Sequence, residues 1–208
     1  MDTKENILLT ALRLFARDGY EAVSVSRIAG ELGMVKSALY KHYKNKRDIF
    51  DSILERMNEM DMERAKKYEM PEGDMKEIAG AYQTLPLHQI REYSKAQFLH
   101  WTQEEFSSLF RKMLTLEQYR SQEMSELYQK YLTSGPVSYM KEIFLGMAED
   151  DDEAEQLALE FYGPFYLLYS IYDGIGDEQA VIKILDAHVE RFSKNLKHDL
   201  GKRRIQSE

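Results

Sequence analysis

Three observations predict an all-α protein with a small amino-terminal helix-turn-helix unit and a larger helical remainder. Apolar residues recur at helical intervals along almost all of the 208 residues, and only 4 prolines interrupt them. Residues 24–46 read as two short helices around a tight glycine turn, the second of them polar and basic. Charge is segregated: residues 1–50 hold nine Lys or Arg against six Asp or Glu, a balance of +3, and the remainder holds 19 against 30.

The first element is a helix over 3–17, where Ile7, Leu8, Ala11, Leu12 and Phe15 form one apolar stripe and Gly19 ends it. Ser24 can cap the next helix, whose Ile28, Ala29 and Leu32 face inward, with Ala29 small enough for close crossing. Gly33 stands where the chain must leave that helix in a left-handed conformation. From Val35 onward, Ala38, Leu39 and Tyr43 can turn inward, while Lys36, Ser37, Tyr40, Lys41 and His42 project. These outward types suit a major groove: Lys donates to guanine or phosphate, Ser to either, and a small Ala can touch a thymine methyl. A long helix over about 45–68 follows, with Asn45 as cap, Asp48 in the capping-box position and Lys46 at an amino terminus suited to phosphate.

Residues 70–73, Met-Pro-Glu-Gly, end that connector. Further helices are expected at about 74–82, 86–101 and 103–113, with Thr84 and Thr102 as start signals, and at 115–132, started by Thr115. Gly135-Pro136 breaks the chain before a shorter helix to Met147. Two final helices cover about 152–172 and 177–196, separated by Gly174-Ile175-Gly176. Their apolar positions include Leu157, Phe161, Phe165 and Leu168 in one, and Val181, Ile184, Leu185, His188 and Phe192 in the other. Gly163-Pro164 can bend the first, since proline removes an amide bond and crowds the preceding turn.

The strings 15–20 (Phe-Ala-Arg-Asp-Gly-Tyr), 25–33 (Val-Ser-Arg-Ile-Ala-Gly-Glu-Leu-Gly) and 38–46 (Ala-Leu-Tyr-Lys-His-Tyr-Lys-Asn-Lys) resemble the TetR family of transcriptional regulators in order and spacing. They cover about the first quarter of the chain. The resemblance implies a DNA-binding domain at 1–48 and a helical effector-binding and dimerisation domain at 49–208. It also implies that Ser26 or Arg27 touches DNA near the second helix, that Lys36, Ser37 and Ala38 face bases, and that Tyr40, His42 and Lys46 lie by the backbone; Lys41 joins them as an outward basic residue. The last two helices would pack against those of a second copy. The family often has Ser or Thr where Val35 stands, so the recognition helix is expected to lack a side-chain cap; Val23 replaces a frequent Thr.

The expected function is a homodimeric repressor released from a near-palindromic double-stranded operator by a small-molecule effector. An acidic body suits it, because attraction to phosphate acts locally, over a Debye length of about 8 Å. Aromatic residues are dense in the larger part: an apolar or aromatic ligand would use His100, Trp101, Phe110, Tyr119, Tyr128, Tyr162 and Tyr166, and the competing role for each is core or interface packing. The acidic run 149–153 lacks the ligand spacing of a calcium loop and fits a helix start. Lys202-Arg203-Arg204 reads as a solubilising tail. No HExxH, nucleophile elbow or cysteine is present, so neither metal, cofactor nor enzymatic turnover is expected. Without a membrane-length apolar run or a signal-peptide pattern, the expected location is cytoplasmic. The alternative class is a helical interaction protein, or a regulator controlled by a protein partner.

Overall fold

In the computed structural model, residues 3–71, 73–174 and 177–206 are described, and among them lie eleven helices: α1 (Thr3–Asp18), α2 (Val25–Glu31), α3 (Lys36–Leu39), α4 (Lys46–Lys67), α5 (Met75–Thr84), α6 (Leu87–Gln103), α7 (Glu105–Glu117), α8 (Gln122–Leu132), α9 (Ser134–Leu145), α10 (Asp151–Gly174) and α11 (Glu178–Gln206). The described residues contain no strand. The protein is all-α, as its periodicity predicts. The chain forms two compact units, 1–67 with 103–128, and 68–102 with 129–208.

In the first unit the stripe Ile7, Leu8, Ala11, Leu12 and Phe15 is buried, together with Ile28, Leu39, Ile49, Phe50, Ile53 and Met57. Helix α7 packs along α1 and contributes Phe106, Phe110, Met113 and Leu114. Burying these large side chains supplies roughly 1.5–3 kcal/mol each, which short helices such as α2 and α3 need because they are unstable alone.

Local capping follows the sequence in part. Asn45 accepts the Asp48 amide at 2.8 Å, but the Asp48 carboxylate reaches the Lys44 amide at 2.7 Å rather than that of Asn45. Asp74 and Glu77 form a reciprocal capping box on α5. The acidic run caps α10: Asp150 accepts the Glu153 amide, Glu153 accepts that of Glu149, and Lys141 bridges Asp151 and Glu155.

Three expected starts lie elsewhere. Thr84, Thr102 and Thr115 sit inside helices, their hydroxyls donating to the carbonyls of Ala81, Phe98 and Arg111. A threonine hydroxyl that bonds back to the preceding turn is compatible with a continuing helix. Glu104 precedes α7 without a side-chain cap, and Ser121 caps α8 through the Met124 amide.

In the second unit α9 packs on α5 and α10, and α10 on α11. A Cβ on Gly135 would collide with the Lys130 carbonyl, so the junction of α8 and α9 requires glycine. Pro164 lies within α10. Phe161, Phe165 and Leu168 of α10 and Val181 and Leu185 of α11 are buried within the chain, and Phe161 meets Phe144 and Phe192 at ring distances of 6.1 and 5.1 Å. A separate outward line on α10, Leu159, Tyr166 and Leu167, is exposed, as is Ile184 on α11. Helix α11 runs about ten residues beyond the expected end. Ile175 and Gly176 of the expected separator, and the side chains of Lys202, Arg203 and Arg204 in the basic tail, lie outside the described residues.

Candidate nucleic-acid interface

The reader is built from three local devices. Ser24, in an extended conformation, accepts the Arg27 amide at 3.2 Å and starts α2. Gly33, at φ 64°, ends it: its amide reaches the Gly30 carbonyl, and the Met34 amide reaches that of Ala29 at 2.8 Å. This pair of crossed bonds is a Schellman closure, which satisfies carbonyls that the helix end would leave open. Val35 then starts α3 with no side-chain hydrogen bond, and its own side chain is 69% exposed.

Helix α3 has four residues and one fully buried anchor, Leu39. Backbone turns continue through Tyr43, which is buried and bonds the Lys4 carbonyl. This anchoring leaves Lys36, Ser37, Tyr40 and Lys41 exposed, with Ala38 and His42 half-buried. The Lys36 ammonium lies 5.6 Å from the Tyr40 ring centre. Ser26 and Arg27 are exposed at the start of α2, where Arg27 pairs with Asp18 at 2.8 Å. Val23 is buried, so the position of a frequent family Thr serves the core here.

Lys46 stands at the first residue of α4, as expected, but its ammonium turns back into the protein. It donates to the Tyr20 carbonyl at 2.9 Å, lies 4.1 Å above the Tyr20 ring and is 3.5 Å from the Glu21 carboxylate. Burial raises the Tyr20 hydroxyl pKa above its ordinary value, while nearby Arg47 pulls it down. In the sequence Tyr20 is only the end of the 15–20 string, and its partner on α7, Glu117, carries no signal at all. Glu117 is 97 positions away from Tyr20, beyond any local pattern.

The aromatic candidates divide between the two units. In the first, Phe110 and Tyr128 are buried, whereas Tyr119 is 91% exposed in the turn between α7 and α8, a surface residue rather than a wall. In the second, buried His100 and Trp101 meet edge to face at 5.3 Å. The Tyr162 hydroxyl donates to the Leu132 carbonyl at 2.9 Å, and Tyr166 belongs to the outward line of α10. No group of three or more potential metal ligands gathers among the described residues, and none of their helices is long and apolar enough to cross a membrane.

A three-helix unit whose short third helix presents ammonium and hydroxyl groups from an apolar anchor defines a helix-turn-helix protein. Residues 7–53 match the family model described as bacterial regulatory proteins, tetR family. The HTH-type transcriptional regulator YerO of Bacillus subtilis, itself described as uncharacterized, is 38% identical over 68 residues, 33% of this chain and 24% of that protein. The similarity to that relative therefore spans about a quarter of its length. Along the whole chain the fold is similar to that of a TetR-family transcriptional regulator from Bordetella parapertussis, with TM-score 0.62, 19% identity and coverage of 92% of this chain and 94% of that one. It is also similar to a protein from Saccharomonospora viridis in complex with choline, with TM-score 0.57, 20% identity and coverage of 92% and 95%.

Proposed function

We propose that this chain is a cytoplasmic, homodimeric transcriptional repressor that leaves a near-palindromic operator when a small molecule binds its larger helical part. The observation that carries the reading is the division of labour on α3, where buried Leu39 anchors a turn whose Lys36, Ser37, Tyr40 and Lys41 face outward. Together with Ser26, Arg27, Ala38 and His42 they form the DNA face, with phosphate contacts positioning it and Lys36 and Ser37 reading base edges. Residues 1–48 carry this role, and 49–208 carry dimerisation and effector binding.

The exposed line Leu159, Tyr166 and Leu167 on α10, with Ile184 on α11, supplies an apolar face for a second copy. Such a dimer sets its two readers about 34 Å apart, or a multiple of that, to reach successive major grooves. Release follows when an effector favours a mismatched separation by a few kcal/mol. The choline complex of the similar fold supports a small organic effector, and His100 and Trp101, buried in the second unit, are the aromatic candidates we assign to its site.

The test is selection of bound fragments from random and genomic DNA with the purified chain, followed by a compound screen for release. Recovery of one near-palindromic site bound by a dimer is the expected result. Failure to enrich any sequence would refute the reading.

A further inference from the structure

The corner between α1 and α2 is held through both backbone polar groups of a single residue, Tyr20. The Tyr20 amide donates to Oε1 of Glu117 on the last turn of α7, at 3.2 Å, while the Tyr20 carbonyl accepts the Lys46 ammonium at the start of α4. Glu117 is only 1% exposed. Its carboxylate has Arg120 at 3.5 Å, so the buried charge is both paired and hydrogen-bonded. Gly19 is part of the fit. It adopts φ 90°, a conformation that L side chains rarely take, and a Cβ there would stand 2.7 Å from Glu117 Oε1 and 2.8 Å from Arg120 Nη1, so the ends of both side chains would have to shift. The Tyr20 ring completes the joint, 5.1 Å from Phe15 and 5.0 Å from Phe50, with the Lys46 ammonium above it.

Packing alone would be served better by an apolar side chain, since burying a carboxylate costs free energy that hydrogen bonds must offset. What a carboxylate adds is direction: it fixes the plane of a peptide that belongs to no helix. Two other links join 103–128 to the reader, Arg13 to Glu105 and Arg47 to Glu123, both at 2.6 Å, but they are exposed pairs of small energetic value. The buried link is therefore the one that sets geometry.

We propose that Glu117 is a positioning residue for DNA reading: through the backbone of Tyr20, whose two flanking peptides meet Glu117 and Lys46, it orients the start of α4 and the approach to α2 relative to α7, and Lys46 belongs to this joint rather than to the phosphate contacts. The inference rests on the DNA-reading function proposed above. In the full chain, Glu117→Ala should speed hydrogen exchange at the Tyr20 amide about tenfold and weaken binding to the selected DNA about tenfold, the usual effect of losing one hydrogen bond to a charged group. The slope of affinity against salt should not change, because no phosphate contact is lost. Glu117→Gln keeps an acceptor oxygen and should retain both properties within about threefold. Lys46→Met, which keeps the apolar stem, should also weaken binding with the salt slope unchanged.

Full affinity in Glu117→Ala, or equal losses in Ala and Gln, would overturn the positioning role. A salt slope reduced by about one in Lys46→Met would return that lysine to the phosphate backbone. Should Glu117→Ala not fold, slow Tyr20 exchange in the native chain and in Glu117→Gln still supports the bond, and fast exchange in both refutes it. A chain that binds no selected DNA yet shows the predicted exchange pattern would sink the DNA reading while leaving the joint intact.

Discussion

Two glycines three residues apart in the reader should respond to alanine with opposite signs. A Cβ at Gly30 or at Gly33 meets nothing within 4 Å, so sterics with neighbouring side chains cancel from the comparison. Only the backbone differs. Gly30 is inside α2, where alanine is favoured over glycine by about 0.5–1 kcal/mol. Gly33 has φ 64°, where an L side chain costs roughly 1–2 kcal/mol, offset in part by about 0.4–1 kcal/mol from a stiffer unfolded chain. The two variants should therefore differ by about 1–2 kcal/mol. For a chain of this length about 1 kcal/mol moves Tm by roughly 2–4 °C, so Gly30→Ala should melt slightly higher than the native chain and Gly33→Ala lower. Thermal unfolding by circular dichroism gives the global shift, and hydrogen exchange at the Met34 amide, which closes the turn on the Ala29 carbonyl, gives the local one. Equal shifts of the same sign, or a Gly33→Ala chain with undiminished Met34 protection, would refute the account of the turn.

Three further outcomes follow from the geometry. Lys36→Ala should weaken DNA binding about tenfold and leave Tm unchanged, because the side chain is exposed and Leu39 holds the helix; titration at several salt concentrations checks it. Leu167→Glu, on the outward line of α10, should shift sedimentation from dimer to monomer while helical content is retained; a dimer that persists would place the interface elsewhere. Burial, with the neighbouring Tyr139 and Tyr93 hydroxyls, pushes the Tyr82 phenol well above its ordinary range, so the folded chain keeps a proton that the unfolded chain releases near pH 10. Stability is then full below that pH and falls as pH rises beyond it, so ultraviolet titration should show late tyrosine ionisation coinciding with unfolding.

The legible parts of this molecule are those written in local patterns. The stripe of α1, the Ser24 cap and the Gly33 closure each depend on residues within a few positions of one another, and each stands where periodicity and turn chemistry put it. The threonines at 84, 102 and 115 were misleading because a hydroxyl satisfied by its own preceding turn looks, in sequence, like a hydroxyl free to cap. Lys46 was legible as a helix start but not as half of a joint, since its partner carbonyl at Tyr20 is fixed by tertiary packing. The aromatic residues carried least information: Phe110 and Tyr119 are similar in kind and nine positions apart, yet one is buried and the other almost wholly in solvent.

The reading surface and the scaffold beneath it use separate residues. Leu39 and the Gly33 closure hold α3, while Lys36, Ser37, Tyr40 and Lys41 contribute little to keeping it folded. Exposed substitutions of that kind usually change stability by no more than about 0.5 kcal/mol. Under the proposed function, a lineage carrying this chain could thus rewrite which site it recognises one residue at a time, without passing through unfolded intermediates.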